Sequence, residues 1–430
     1  LIKGLIKHQL ECNAIDRDFI DAKSEGYDAM VERAQETTWD QIVNDSGITR
    51  EEIQKAGDIL AHSKATIACW AMGLTQHRNG VAVIQEVVNL LLMNGHIGRR
   101  GAGLCPVRGH SNVQGDRTVG IWEAPTTAFL DRMEEGLGFQ LPRHHGYDVV
   151  HAIQAMMDES VDVFVCMGGN FLSATPDTDL TARALNNVDL TVQISTKLNR
   201  SHLVTGKNAL ILPCLGRTEV DVQQSGEQFV TVENSMGVVH RSTGGLTPAS
   251  PDLRSEPSIV ASLAEATLSS TDIDWSGLAD DYDRIRDLME RSLDGFDDYN
   301  TRVRQSNGFS LPNTPRDDQA FDTPSGKAVF TVHDLPDVQV PQDHYVLMTL
   351  RSHDQYNTTI YGLHDRYRGV HGRRRVLFMN ANDMVKRGWK SRQIVSITSH
   401  FNAETRHADD WMLVPYDTVS YTHLTLPTTD

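Results

Sequence analysis

Residues 98–115, GRRGAGLCPVRGHSNVQG, constrain this chain more than any other stretch. Five glycines (Gly98, Gly101, Gly103, Gly109, Gly115) alternate there with Arg99, Arg100, Arg108, His110, Asn112 and Gln114. Glycine lets the backbone take φ > 0 and lie close against a ligand. The guanidinium and amide groups can meet phosphate oxygens or the edge of a heterocycle. Just upstream, apolar residues at 81, 84, 87, 88, 91 and 92 form a helical stripe, which Asn94-Gly95 closes as a cap. A core helix therefore delivers a polar, glycine-dense loop to one place. An ordinary surface loop that needs glycine for its turns is the plainer reading of the same composition.

The surrounding grammar is that of an α/β protein. Thr49-Arg50-Glu51-Glu52 is a capping box that opens a helix with Ile53, Ala56 and Leu60 on one face. A strand is expected at 65–72, followed by GLTQHRNG and the core helix. The unit then repeats: a helix at 147–157, a strand at 161–167 ending in Gly168-Gly169-Asn170, a helix at 177–185 and a strand at 190–194. A polar turn at 195–201 and a strand at 209–212 complete it. This predicts an open, mostly parallel, Rossmann-like sheet. Ligands of such sheets sit at the carboxyl ends of the strands, so 73–76, 168–170 and 195–197 should share one rim with 98–115.

Residues 216–255 hold two short strands around 234–237, a hairpin, and helices are expected at 256–268 and 280–293. The stretch 294–342, rich in Asp, Asn, Pro and Ser, reads as a linker. Its Thr323-Pro324-Ser325-Gly326-Lys327 lacks the GxxxxGK[ST] frame of a phosphate loop. From His344 the texture becomes β: strands at 345–350, 376–379 and 393–399, with a polar loop at 351–359 and a helical turn at 382–387.

The 430 residues carry a net charge of −17, which argues against nucleic-acid binding. No apolar run reaches the roughly 18 residues of a membrane span. A soluble, cytoplasmic protein without membrane insertion is expected. The five cysteines (Cys12, Cys69, Cys105, Cys166, Cys214) form no CxxC, and no Cys/His pairing is read as a zinc signature. Structural zinc and a local iron–sulfur cluster are therefore not expected within this chain, no protein metal ligand is assigned, and Cys69 and Cys166 are expected to be buried core thiols. The chain opens on LIKGLIKHQL without an initiator Met and is read as incomplete at its amino terminus.

NGHIGRRGAGLCPVRGHSNVQGD resembles the segment "tGniGrpGaG…p.RGqnNvqG" of molybdopterin-dependent oxidoreductases, in particular the formate dehydrogenase alpha-subunit type. The resemblance runs in family order from about residue 1 to about 417. It implies molybdenum or tungsten held by a bis-molybdopterin guanine dinucleotide, two-electron chemistry on a small-molecule substrate, and an electron-transfer partner subunit. An iron–sulfur cluster is implied only if residues upstream of Leu1 ligate it. Residues 1–48 then correspond to the tail of an active-site domain and 49–293 to an α/β dinucleotide-binding domain. Residues 343–417 correspond to a partial carboxy-terminal barrel of the double-psi type, and 418–430 do not continue the pattern and look non-native.

By motif position the cofactor contacts are Gly73, Thr75, Gln76, Gly109, Asn112, Gln114, Gly115, Gly168, Gly169, Asn170, Ser195 and Lys197. Arg351, Ser352, His353 and Asn357 join them from the barrel. Glycine amides suit the pyrophosphate, whereas Asn170 and Gln76 suit the guanine edge. Arg108 and His110 are the catalytic candidates: a guanidinium grips a carboxylate and an imidazole moves a proton near neutral pH. His110 stands where formate dehydrogenases most often carry glutamine, which weakens formate as the substrate. His77, His144 and His145 are expected at the surface. Two rival readings are a structural subunit that keeps the fold without the cofactor, and a nicotinamide-dependent dehydrogenase. The second needs a GxGxxG frame that neither GLTQHRNG nor GRRGAG supplies.

Overall fold

The computed structural model describes every residue except Ser111, Ser269, Val338, Gln339, Asn357, Asn402, 418–423 and 428–430. The chain is a mixed α/β protein with two compact units, one of Ile2–Glu36 with Gln54–His333, the other chiefly Thr37–Ile53 with Asp334–Asp430.

In the larger unit, helix Gly80–Met93 is the hub of the first core. Leu90, Leu91, Leu92 and Met93 pack there against Ile6, Phe19, Ile20, Met30 and Phe330. Gly95 closes the helix as expected, its N–H and that of His96 returning to the Leu92 and Leu91 carbonyls. In the smaller unit the Thr49–Glu52 capping box also forms, with reciprocal bonds of 3.1 and 3.3 Å.

The parallel architecture is present in two pieces rather than one sheet. Ile67–Trp70 pairs in parallel with Gly103–Pro106, a two-stranded ladder that bridges across helix Gly80–Met93. Val163–Met167, Leu190–Ser195 and Asn208–Pro213 form a separate three-stranded parallel sheet, with helix Thr178–Asn187 as one crossover. Such crossovers are what parallel neighbours require. Ile153, Met156, Leu172, Ala184, Leu185 and Val188 fill one core beside this sheet. Ile259 of helix Glu256–Thr267 joins Val192, Ile194 and Cys214 in another.

Two expectations need correction. Residues 98–115 are not one loop, because Gly103–Pro106 is a strand that finds hydrogen-bonding partners along Ile67–Trp70. Cys69 is exposed rather than buried, since the short ladder alternates and Cys69 shares its open face with Ile67. Cys166 is half-buried, its thiol donating to the Gly168 carbonyl at 3.4 Å, and burial raises its pKa.

The expected hairpin exists as antiparallel Val230–Glu233 and Val238–Ser242. Behind it Leu293, Phe296, Tyr299, Val303, Phe309 and Leu311 form a further core.

In the smaller unit, five strands run in the order Leu347–Leu350, Leu424–Pro427, Val376–Met379, Glu404–Pro415, Ile394–Phe401. The outer two do not pair with each other, so among the described residues the sheet is open and no barrel closes. Val376–Met379 is buried along its whole length, as a central strand should be.

Candidate functional site

The two-stranded ladder delivers two of the expected loops side by side. The Val107 N–H continues the ladder to the Trp70 carbonyl at 2.7 Å, so residues 71–76 and 107–110 leave the same strand ends. Gly73, Thr75 and Gln76 are exposed on and after the short helix Met72–Thr75, and a Cβ at Gly73 would meet nothing within 4 Å. Thr75 Oγ1 donates to the Met72 carbonyl at 3.4 Å, and Gln76 Nε2 to Met72 Sδ at 3.4 Å. Gly109 and His110 are exposed, and Gly109 too faces open space.

The rest of the motif is tied to itself and to the hairpin. Arg108 donates from Nε and Nη2 to Gln114 Oε1 at 3.1 and 2.9 Å, and from its backbone N–H to Ser235 Oγ at 3.0 Å. Asn112, left-handed at φ +64, accepts on Oδ1 from the Glu233 N–H at 3.0 Å. Gly115 is compelled by that arrangement, because a Cβ would lie 2.0 Å from Asn112 Oδ1. Glu233 accepts from Thr118 Oγ1 at 2.5 Å; burial pushes its carboxyl up against the opposing pull of that bond. Asn112, Gln114 and Gly115 therefore fix the loop's shape, while Arg108, Gly109 and His110 are presented outward. Asn112 and Gly115 also line a largely apolar cavity of about 390 Å³ reaching Phe229, Met289 and Tyr299.

The three-stranded sheet delivers the other two loops. The Gly168 N–H bonds the Ile194 carbonyl at 2.8 Å at the strand end, and Gly168 and Gly169 are consecutive left-handed residues at φ +68 and +70. A Cβ on either would meet nothing within 4 Å. Asn199 Nδ2 donates to the Gly169 carbonyl at 2.7 Å, and Ser201 Oγ donates to Asn170 Oδ1 at 3.0 Å. Ser195 Oγ turns back to the Lys197 carbonyl at 2.8 Å, leaving Lys197 exposed. The hydroxyl and amide groups beside the turn are bonded within the loops and hold its shape. What this strand end offers a phosphate-bearing ligand is bare glycine backbone facing open space, with the exposed Lys197 two residues past the neighbouring strand end. The expected loops thus meet two by two, 73–76 with 107–110 and 168–170 with 195–197.

Sequence reasoning passed over Asn199, Ser201, Ser235, Glu233 and Thr118, which hold these loops in place. Their only local sign was polarity next to a turn. It also passed over His8, Cys12 and Asp58, the one group of potential metal ligands among the described residues. His77, His144 and His145 are exposed, as expected.

In the smaller unit, His353 Nδ1 lies 2.9 Å from Asp365 Oδ1, and Arg368 Nη1 donates to Asp365 Oδ2 at 2.6 Å and to the Arg351 carbonyl at 3.2 Å. Burial alone would raise the Asp365 carboxyl, yet bonds from Arg368 and His353 outweigh it and hold it below the usual range. Ser352 is buried, with Oγ 3.4 Å from Gln355 Oε1. Asn357, the fourth expected contact there, lies outside the described residues.

No described helix is long and apolar enough to cross a membrane. A molybdopterin oxidoreductase family model matches residues 45–266. An uncharacterised oxidoreductase of Mycobacterium tuberculosis is 50% identical over 412 residues, covering 94% of this chain and 53% of that protein. Protein YdeP of Escherichia coli K12 is 43% identical over 435 residues, 97% of this chain and 57% of that one. The chain thus spans about half the length of these curated relatives. Formate dehydrogenase H of Escherichia coli is 25% identical over 192 residues, 43% of this chain and 27% of its own. Acetylene hydratase from Pelobacter acetylenicus shares the fold, with a TM-score of 0.62 at 16% identity over 99% of this chain and 62% of that chain. With the family model covering more than half of its residues, the chain belongs to the molybdopterin oxidoreductase family.

Proposed function

We propose that the polypeptide carrying this chain is a formate dehydrogenase-like oxidoreductase that holds molybdenum or tungsten in a bis-molybdopterin guanine dinucleotide. The observation that supports this most is the strand end at Gly168-Gly169, where two left-handed glycines expose backbone to open space within the family-matched region. When bound, the cofactor supplies a metal centre that exchanges two electrons with a small substrate.

In this reading the N–H groups of Gly73 and Gly169 hold pyrophosphate, and Gly168 lets the phosphate approach the backbone although its own N–H is bonded to the Ile194 carbonyl. Lys197 adds an ammonium donor, with Thr75 and Ser195 beside them turning their hydroxyls outward when the ligand binds. Asn170 and Gln76 read the guanine edge. Gly109 admits the pterin, while Asn112, Gln114 and Gly115 keep that loop in shape. Arg351, Ser352, His353 and Asn357 are pterin contacts of the smaller unit, whose sheet is proposed as part of a six-stranded double-psi barrel. Arg108 orients an anionic substrate: Gln114 fixes Nε and Nη2, and Nη1 has no partner among the described residues. His110 holds or moves a proton beside it.

The domain scheme is 49–293 for dinucleotide binding and 343–417 for the barrel. The metal ligand and any iron–sulfur ligands belong to residues beyond this chain, an electron-transfer subunit is the expected partner, and the 430 residues alone are inactive.

The test compares Gly169→Val with Gly138→Val. Both glycines are left-handed, at φ +70 and +77, and neither has an atom within 4 Å of a Cβ, so backbone strain is matched. Gly138 caps helix Thr127–Leu137, away from the strand ends. Cofactor occupancy should fall only in Gly169→Val. Equal loss in both, or loss in neither, would remove Gly169 from the site.

A further inference from the structure

Outside the strand-end loops, one cluster has the chemistry of a metal site. His8 and Cys12 are four residues apart at the end of helix Ile2–Glu11, a spacing that puts both on one face. Asp58 comes from helix Arg50–Ala61, which packs against that face. His8 Nε2 lies 2.8 Å from Asp58 Oδ1 and 3.5 Å from Cys12 Sγ, and the three ligand atoms all lie within 4.8 Å of one another. The approach is built in: a Cβ at Gly57 would fall 2.3 Å from His8 Cδ2, so only glycine lets the imidazole lie against this helix. Gln9 Nε2 fastens the same contact through the Gly57 carbonyl at 2.8 Å. His8 is buried at 6% exposure, whereas Cys12 and Asp58 face solvent, so an ion has a way in.

We propose that His8, Cys12 and Asp58 bind a zinc-class divalent ion, with water in the fourth position. Imidazole, thiolate and carboxylate are zinc's ligand types, and softer N and S donors select it over magnesium or calcium. Bond lengths of about 2.0–2.3 Å place tetrahedral ligands about 3.4 Å apart. The His8–Cys12 separation has that length, but Cys12 Sγ also lies 3.9 Å from His8 Nδ1, against the ring, so the exposed thiol must rotate toward the Nε2 lone pair to share an ion. Asp58 must withdraw by about half an ångström, exchanging its hydrogen bond to His8 for the ion, and its exposed side chain is free to do so. Binding releases the Cys12 proton and staples the amino-terminal helix to Arg50–Ala61.

The test strips the 430-residue chain with chelator and titrates it with Co²⁺ alone, a zinc surrogate whose thiolate charge-transfer band reports Cys ligation. Wild type should take one equivalent with that band, and added Zn²⁺ should abolish it. Cys12→Ser, a change at an exposed side chain, should remove the band, and His8→Gln and Asp58→Asn should weaken Co²⁺ binding at least tenfold. Circular dichroism identifies any variant that fails to fold, and Cys12→Ser decides the question if His8→Gln does. No band in wild type, or the same band in Cys12→Ser, would overturn the site.

Discussion

Gly115→Ala separates the proposed architecture of the motif from a generic helix argument, because the two predict opposite signs. Alanine in place of glycine within a helix ordinarily stabilises by about 0.5–1 kcal/mol. Gly115 sits inside helix Val113–Thr118, but its Cβ would lie 2.0 Å from Asn112 Oδ1 and 2.8 Å from Asn112 Cγ. Asn112 has to leave, which strips the partner from the Glu233 N–H, where the residue is only 6% exposed. An unsatisfied buried amide costs about 1–3 kcal/mol. After the helix gain, the hairpin is weakened by about 1–2 kcal/mol, and its opened state becomes roughly 5–30 times more populated. Hydrogen exchange of a peptide spanning Val230–Glu233 should quicken by that factor. In an Asn112→Ala background the same change should be neutral or stabilising, because the obstruction is gone. Unchanged or slower exchange in Gly115→Ala would refute the reasoning.

Three further outcomes follow from buried charge. Asp365→Asn should destabilise the smaller unit by about 1.5–3 kcal/mol at pH 7, since it removes the charged partner of Arg368 and His353. Because the Asp365 carboxyl is held low, that contribution exists above the unfolded value of about 3.9 and is lost as pH falls through the folded value, so urea midpoints should converge in acid. Glu233 has the opposite sign: burial raises its carboxyl, so the charged form is penalised at pH 7 and relieved on acidification. Glu233→Gln should raise the urea midpoint at pH 7, and that advantage should vanish at low pH. Lys3 and Glu86 form a buried pair at 2.6 Å, so Glu86→Ala should cost about 3–5 kcal/mol, whereas Lys3→Met with Glu86→Leu should be close to neutral by thermal melting.

The regular elements were legible where one periodicity ruled a segment. Gly80–Met93, Val163–Met167, Leu190–Ser195 and Val376–Met379 fall where the apolar pattern put them. Gly103–Pro106 was hidden because glycine masks a strand whose reason is the partner at Ile67–Trp70. Glu404–Pro415 was hidden because its first half, ETRHADD, is polar and exposed and is ordered by pairing with Ile394–Phe401. At the site, sequence named the outward-facing Arg108 and His110 together with Asn112 and Gln114. It could not reveal that Gln114 is occupied by Arg108, which depends on how the loop turns between them, or Asn112 by Glu233, a bond that exists only once the hairpin folds back. The same holds for Asp58, fifty residues from His8.

The central claim is that this chain serves a pterin-bound metal, and elemental and nucleotide analysis tests it most directly. The polypeptide carrying the chain would be purified from cells that assemble the cofactor and are supplied with molybdate and tungstate. The account predicts molybdenum or tungsten together with acid-released guanine nucleotide, two nucleotides for each metal. Neither metal nor guanine nucleotide, in protein matured where another member of the family is loaded, would contradict it and leave the fold as a structural subunit.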